Sequence, residues 1–215
     1  MPAPLHVTFA AGPEGPWRID RIDALCGATL EPAERLRVVE AASPKPVLAA
    51  SWALRGVTSN PRYTQRAELN GLAARQQGLR RPEASRAALI PIRKSESWWA
   101  MAQDERRAIF EEQSRHIAIG MDYLPAVARR LHHSRELAEP FDFLTWFEFA
   151  PEHETAFDTM LQRLRHLLQS CLTLGVGAAP IASLFVGQQA LDLSQDGTAN
   201  SGFLLRRDKN GQSPS

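Results

Sequence analysis

The chain has 215 residues, and its hydrophobic content of 44% is ordinary for one packed domain or two small ones. Its 25 lysines and arginines nearly balance its 24 aspartates and glutamates, so the formal charge of +1 gives no field that gathers nucleic acid or an anionic membrane. Cys26 and Cys171 stand far apart, which excludes a disulfide framework and a cysteine-built zinc site.

No segment is typical of export or of a membrane span. Residues 1–15 lack a basic start, and their short apolar stretch is broken by Gly12 and Pro13, unlike a signal peptide. No apolar run reaches the length of a transmembrane helix. We therefore expect a cytoplasmic protein, with neither a nucleic acid nor a membrane as its partner.

The first half predicts short strands around one helix. Alternating or short apolar runs bounded by proline, glycine or serine indicate strands at residues 5–9, 36–39 and 51–57. Residues 63–78 have the composition of a helix that ends at a glycine. Residues 88–94 predict a further strand.

The second half predicts two helices, the clearest strand and a covering helix. Residues 104–120 carry early acidic residues and apolar residues at helical spacing, and residues 125–133 predict a second helix that begins at a proline. Residues 141–149 alternate with the period of a strand, and the helix that starts at Pro151 places its leucines on one stripe. A strand followed by a covering helix suggests an open α+β sandwich.

His116 and Arg129 are the first candidates for chemistry. His116 shares a helix face with Ile109, two turns earlier, so a neutral imidazole would point inward. By pattern alone a hydrogen-bonded core histidine is the better interpretation than a metal ligand. In an unbroken helix Arg129 would lie about 20 Å further along the axis, although the break before Pro125 permits the chain to fold back. By pattern alone Arg129 belongs to the solvated side of a helix.

The remaining candidates are weaker. His132 and His133 diverge by about 100° on a helix, and no carboxylate is placed to complete a zinc set. Trp98 and Trp99 could line a macrocycle, but such pairs are more often core or interface anchors. The sequence contains no GxGxxG, P-loop, GxSxG or HExxH motif. The patterns alone therefore indicate only an α+β domain.

Longer segments carry a more specific signal. Residues 87–165 contain AALIPIRKSESWW and DERRAIFEEQSRHIAIGMDYLPAVARRLHHSRELAEPFDFLTWFEFAPEH, and the helix after them completes the segment. This segment closely resembles the chlorite dismutase family, in its short, dimer-forming members. A weaker similarity continues upstream through SWALRGVTSNPRYTQRAE, so that the resemblance covers about residues 17–165.

The resemblance implies a ferredoxin-like α+β barrel of the dimeric chlorite dismutase type. In that arrangement residues 1–50 form a shortened, β-rich N-terminal half, and residues 51–169 form the half that binds one haem b. Residues 170–215 are then an atypical tail. The implied partners are a second copy of the chain and chlorite or another small anionic oxidant.

The resemblance also implies roles for individual residues. His116 falls on the proximal iron ligand, and Arg129 falls on the distal arginine, which speaks against the coproheme-decarboxylating branch with its glutamine there. In the family's reaction, chlorite is converted to chloride and dioxygen on the iron face opposite His116. A guanidinium stays protonated and cannot act as an acid or a base, so Arg129 would instead hold the chlorine oxyanion by its charge. Lys94 and Tyr63 match positions near the haem propionates. Trp98 and Trp99 match the family's tryptophan pair beside the haem and the interface.

The tail departs from the family pattern. Where an acidic, tryptophan-containing segment and a final strand are expected, the chain reads HLLQSCLTLGVGAAP. Gln169 stands where a glutamate would accept a hydrogen bond from the ligating histidine, which predicts weaker haem binding and a higher iron potential. The closing strand is therefore expected to be missing, unless residues 181–186 replace it. The stretch from Asp192 onward is expected to be poorly ordered.

The abrupt change suggests a hypothesis about the gene. A reading-frame shift or rearrangement near codon 166 would produce such a tail. Translation of the DNA in the other two frames tests it, and the absence of a strand containing Glu and Trp from both frames would contradict it.

Two other functions stay open at this point. A weak haem peroxidase could use the same pocket, and a peroxide and dye assay separates it from chlorite turnover. A haem-free or haem-carrying binding protein, in which the altered tail has removed catalysis, would keep the dimerising α+β scaffold. Stoichiometric haem titration distinguishes the haem-free scaffold from the other two.

Overall fold

The computed structural model describes residues 4–23, 30–43, 47, 49–58, 63–173 and 202–207, with only the backbone described at 23, 165–173 and 202–207. These residues form eight strands: β1 (His6–Gly12), β2 (Trp17–Asp23), β3 (Arg35–Ala41), β4 (Trp52–Val57), β5 (Arg86–Ile92), β6 (Val127–His133), β7 (Phe143–Phe149) and β8 (Gly202–Arg207). The α-helices among them are α1 (Arg66–Arg75), α2 (Glu96–Ala100), α3 (Gln103–Arg107), α4 (His116–Asp122) and α5 (Glu154–Thr173). Short 3-10 turns span Arg135–Leu137 and Pro151–His153.

The strands close into an antiparallel barrel in the order β1, β3, β2, β8, β5, β7, β6, β4, with β4 returning to β1. The pairing of β6 with β7 is complete, from Val127 opposite Phe149 to His133 opposite Phe143. The contact of β4 with β6 is the narrowest, at Val57 and His133. This architecture confirms the α+β, ferredoxin-like class expected from the family resemblance.

Two hydrophobic cores lie on opposite sides of the barrel wall. One draws on strands around the whole barrel and fills its interior, with Phe9, Leu36 and Trp146 among its members. The other lies outside β5, β6 and β7, beneath the helices, where Phe147 and Phe149 pack against Phe157 of α5. Because side chains alternate along a strand, β6 and β7 contribute to both sides of the wall.

The helix predicted over residues 125–133 is wrong, because this segment is strand β6. Its side chains alternate between the two sides of the wall, with Arg129 and His133 outside and Arg130 and His132 inside. Seven backbone pairs with β7 override a pattern that also fits a helix. Arg129 is therefore a strand residue beneath the helices, and the interpretation as a solvated helix face is also wrong.

The helix predicted over residues 104–120 is interrupted. The helix α3 passes into a π-helical turn at Ala108–Gln113, and Arg115 then adopts the left-handed conformation with φ 48°. A new helix, α4, begins directly at His116. The break changes the direction in which His116 points, which the spacing from Ile109 could not predict.

The atypical tail supplies the closing strand. Residues of β8 pair with β2 on one side and with β5 on the other, so this edge is filled rather than open, and the expectation of disorder from Asp192 onward is wrong for Gly202–Arg207. The proposed substitute at 181–186 lies outside the described residues. Gln169 belongs to the last part of α5, where only the backbone is described. Within the described part of the chain, every helix is too short or too polar to cross a membrane.

Candidate functional site

A cavity of about 260 Å³ lies outside the barrel wall, between the sheet formed by β5, β6 and β7 and the helices α1, α4 and α5. Its walls are mostly apolar, from the following side chains: Leu69, Leu72, Ile92, Phe110, Ile117, Met121, Leu131, Phe143, Phe147, Met160 and Leu164. Four residues to which the family resemblance gives a role also line it: Tyr63, Lys94, His116 and Arg129. The fold thus brings together side chains that are up to 66 positions apart.

His116, the first residue of α4, presents a neutral imidazole to the cavity. Its ring meets Phe110 edge to face, with 5.2 Å between the ring centres. Loss of solvation, followed by the positive charges of Arg129 and Lys94, lowers the pKa of His116 to about 3. The ring therefore keeps a lone pair at neutral pH, which is the form that binds a metal.

Arg129 faces the cavity from β6, opposite Phe147 on β7. Its guanidinium lies against Gly120 of α4, one turn after His116, and its backbone N–H donates to the side-chain oxygen of Gln76 at 3.4 Å. Loss of solvation lowers the pKa of Arg129 to about 10, so the group remains a cation at neutral pH. It can bind an anion but cannot take a proton.

Lys94 directly follows β5, lines the cavity and is buried. Its Nζ atom lies 4.5 Å from the ring centre of Trp98 and 5.1 Å from that of Phe110, and no described residue accepts a hydrogen bond from it. Burial lowers the pKa of Lys94 to about 7, against the attraction of Asp142. Lys94 is thus a donor in need of an acceptor.

Tyr63 lies next to the start of α1, at the edge of the cavity. Its ring stacks on Phe110 at 5.4 Å, and its hydroxyl accepts a hydrogen bond from Arg106 at 3.3 Å. Arg107 of α3 binds both carboxylate oxygens of Glu68 in α1, at 2.6 and 2.9 Å. This bidentate pair fixes α1, which has no buried residue of its own, across the cavity.

Trp98 and Trp99 lie behind the cavity and do not line it. Trp98 is fully buried beneath Lys94. Trp99 stacks on Phe143 at 5.9 Å, and the guanidinium groups of Arg106 and Arg135 lie 5.2 and 4.2 Å from its ring centre. Both tryptophans therefore support the cavity wall from the side away from the cavity.

The donor set does not suit a bare metal ion. Among the described residues, no group of three histidine, cysteine or acidic side chains is placed to hold one. The space instead has apolar walls and is surrounded by two imidazoles, a guanidinium, an amine and a phenol, from His116, His133, Arg129, Lys94 and Tyr63. This arrangement suits a flat, apolar cofactor that brings its own metal and carries acidic groups at its edge.

The family model for chlorite dismutase matches residues 29–171. The chain belongs to the chlorite dismutase family. This confirms the resemblance expected from residues 87–165.

Solved structures agree with this family. A dimeric chlorite dismutase from Nitrobacter winogradskyi is 41% identical, with a TM-score of 0.72 over 94% of this chain and 99% of that chain. A chlorite dismutase from Candidatus Nitrospira defluvii in complex with imidazole is 19% identical, with a TM-score of 0.54 over 93% of this chain and 90% of that chain. A mutant of the enzyme from the same organism is 18% identical, with a TM-score of 0.57 over 95% of this chain and 91% of that chain. The last two likenesses concern the fold alone.

In this member of the chlorite dismutase family, sequence reasoning missed several cavity residues. Thr145 lines the cavity from β7, and Leu131 lines it from β6 with 46% of its surface exposed. His133, which the sequence offered only as a weak zinc-ligand candidate, lies on the same face of β6 as Arg129 and also lines the cavity. A strand pattern for residues 127–133 would have found Leu131 and His133, because every second residue shares a face. Gly120 was predicted only as a helix end, whereas it is the surface on which Arg129 rests.

Proposed function

We propose that the chain binds one haem b through His116 and decomposes chlorite to chloride and dioxygen. The observation that carries this proposal is the placement of a neutral imidazole and an arginine in one apolar cavity of a chlorite dismutase fold. The proposal extends the family membership to a cofactor, a reaction and named residues.

The residues present fit a haem. A porphyrin is flat and apolar over most of its surface, and the cavity walls offer Leu72, Phe147 and Met160 to its faces. Gly120, one turn after His116, leaves the face of α4 without a side chain there. A planar group could therefore lie close to the backbone of α4.

His116 would coordinate the iron. An imidazole must be deprotonated to donate its lone pair, and the low pKa of His116 keeps it so across the neutral range. No protonation step then competes with iron binding above about pH 4. His132 is a poorer candidate because it lies inside the barrel, where its Nδ1 is hydrogen-bonded to the carbonyl of Leu144 at 3.1 Å.

Lys94 and Tyr63 would bind the propionate carboxylates. The unpartnered Nζ of Lys94 would gain an ionised acceptor, which offsets the cost of keeping an amine buried. The carboxylate would also raise the pKa of Lys94 back toward its ordinary value, since an opposite charge favours the charged form. Trp98 and Trp99 would support this end of the cofactor from behind the wall.

Arg129 would bind the substrate. When bound, haem supplies an iron centre at which the oxygen atoms of chlorite are released as dioxygen and chloride is left. Arg129 carries the charge that an oxyanion of chlorine needs, in a site where low solvation strengthens the attraction. Its role is to hold the anion through the reaction and to keep it from leaving.

A homodimer is the proposed assembly. Support comes from the dimeric chlorite dismutase of Nitrobacter winogradskyi, which this chain matches over 99% of that chain's length. Sedimentation of the haem-loaded protein at several concentrations tests it. A mass of two chains is expected, and a single chain at all concentrations would contradict it.

Haem titration tests the proposal most simply. The wild-type chain is expected to take up one haem per chain with a Soret band, and then to release dioxygen when chlorite is added. His116→Ala should shift or abolish the band, whereas the matched variant His132→Asn, which can keep the bond to Leu144, should leave it unchanged. A wild-type chain that stays colourless after gel filtration with haemin refutes the proposal.

The rival functions give different results in the same sample. A haem-loaded chain that oxidises a dye with hydrogen peroxide but releases no dioxygen from chlorite would be a peroxidase. A loaded chain that does neither would be a haem-binding protein.

A further inference from the structure

The segment before His116 has an unusual backbone. The π-helical turn at Ala108–Gln113 shifts the hydrogen-bond pattern of the preceding helix, and π-helical turns occur often at functional sites. Ser114 and Arg115 then end this segment, with the hydroxyl of Ser114 donating to the carbonyl of Phe110 at 2.7 Å. The helix α4 therefore starts as a separate helix at His116, and the axis of the helix before it does not set its direction.

A newly started helix has free N–H groups in its first turn. Arg115, the residue that precedes α4, forms no side-chain cap. The carboxylate of Glu111 takes this role from the π-helical turn, because Oε2 accepts from the N–H of Ile117 at 2.8 Å and both oxygens lie 3.3 Å from the N–H of Ala118. Glu111 thus joins the π-helical turn to the first turn of α4.

These hydrogen bonds restrict the direction of the His116 side chain. Because His116 is the first residue of α4, a rotation of this turn about the helix axis would turn the imidazole away from the cavity by the same angle. The two N–H groups that Glu111 binds belong to the residues directly after His116. Charge-assisted bonds at a helix N-terminus are among the stronger ones in proteins.

We propose that Glu111 is a positioning residue, whose carboxylate fixes the first turn of α4 and so aims the imidazole of His116 at the haem iron. The inference rests on the proposed function, since it needs an iron bound by His116. Glu111 itself does not touch the imidazole through these bonds. It acts through the backbone of α4.

The test compares Glu111→Ala, Glu111→Gln and the matched control Glu112→Ala, in the full-length chain. Glu112 is the next residue and is exposed, so its removal changes the same charge without the bonds to α4. Glu111→Ala is expected to weaken haem binding by about tenfold or more, as the loss of outer groups around a metal ligand does. It should also broaden the electron paramagnetic resonance signal of the ferric protein, because the imidazole takes several orientations.

The conservative variant separates positioning from charge and from misfolding. Glu111→Gln keeps an acceptor oxygen for one N–H and is expected to recover part of the affinity and a narrower signal. Circular dichroism of each variant verifies the fold, and Glu111→Gln carries the test if Glu111→Ala does not fold. Unchanged haem affinity and an unchanged signal in both variants would overturn the proposal, and so would equal effects of Glu112→Ala.

Failure of the proposed function has a different signature. If the wild-type chain binds no haem, the cofactor assignment falls and the role of Glu111 falls with it. If the wild type and the Glu111 variants bind haem equally well, only the role of Glu111 is refuted.

Discussion

The guanidinium of Arg129 rests on the backbone of Gly120. A Cβ atom at position 120 would lie 2.6 Å from Cζ of Arg129, closer than real atoms approach, so only glycine permits this contact. Gly120 is one turn after His116 on α4, so in the haem-free chain the proposed anion-binding group lies beside the proposed iron ligand.

Gly120→Ala is expected to displace Arg129 without unfolding the chain, because the flexible end of the arginine can move. Haem affinity should fall about tenfold or more, because the added methyl group takes space that the planar cofactor would need against α4, while the melting temperature changes by only a few degrees. The control is Gly78→Ala, since a Cβ there meets no atom within 4 Å. Unchanged haem affinity in Gly120→Ala would show that haem does not lie against this face of α4.

Arg129→Ala separates cofactor binding from catalysis. If haem lies between His116 and Arg129, the guanidinium must leave Gly120 when haem enters, so the variant should take up haem at least as fast as the wild type in stopped-flow absorbance. Its dioxygen release should fall by about a hundredfold, as after loss of one charge-stabilising donor. The control is Arg130→Ala, because Arg130 points inside the barrel and pairs with Glu40 at 2.7 Å. Slower haem uptake by Arg129→Ala would contradict this arrangement.

Lys94→Met is expected to have opposite effects on stability and on haem binding. Removal of a buried amine that lacks a hydrogen-bond partner should raise the free energy of unfolding of the haem-free chain by roughly 1 kcal/mol. Haem affinity should fall about tenfold, because a propionate loses its cation. Urea unfolding and haem titration measure the two effects, with exposed Arg93→Met as the control. A haem-free variant less stable than the wild type would show that Lys94 already has a stabilising role.

The stability of the haem-free chain should depend on His132 in acid. Burial lowers the pKa of His132 from 6.5 to about 4, so between these values the unfolded state binds more protons than the folded state. This contribution to stability is full above about pH 6.5 and is lost as the pH falls toward 4. The wild type should therefore lose more stability than His132→Asn between pH 7 and 4, by up to about 3 kcal/mol at the one-site limit. If the urea midpoints of the wild type and His132→Asn fall by the same amount across this range, the burial of a neutral imidazole at position 132 is contradicted.

Most strands were predictable because their pattern and their environment agree. Residues 141–149 place a phenylalanine at four of their five alternate positions, and both faces of β7 are buried by the two cores. The strand β6 was not predictable from its own residues, since Val127 and Leu131 also fit the spacing of a helix. Its conformation is set by pairing with β7, which is a tertiary effect.

The candidate site was predictable only in part. The family resemblance named His116, Arg129, Lys94 and Tyr63, and the fold brings these four side chains to one cavity. The geometry that distinguishes them was not visible in the sequence. The left-handed Arg115 and the carboxylate of Glu111 set the direction of α4 through backbone hydrogen bonds, which leave no periodic signal.

The bond between His116 and the haem iron is the claim on which the rest depends. Resonance Raman spectra of the ferrous, haem-loaded chain, prepared with light and heavy iron isotopes, measure it directly. We expect an isotope-sensitive iron–imidazole stretching band that is absent from His116→Ala and returns when free imidazole is added. A band that persists unchanged in His116→Ala would contradict the account, because another residue would then hold the iron.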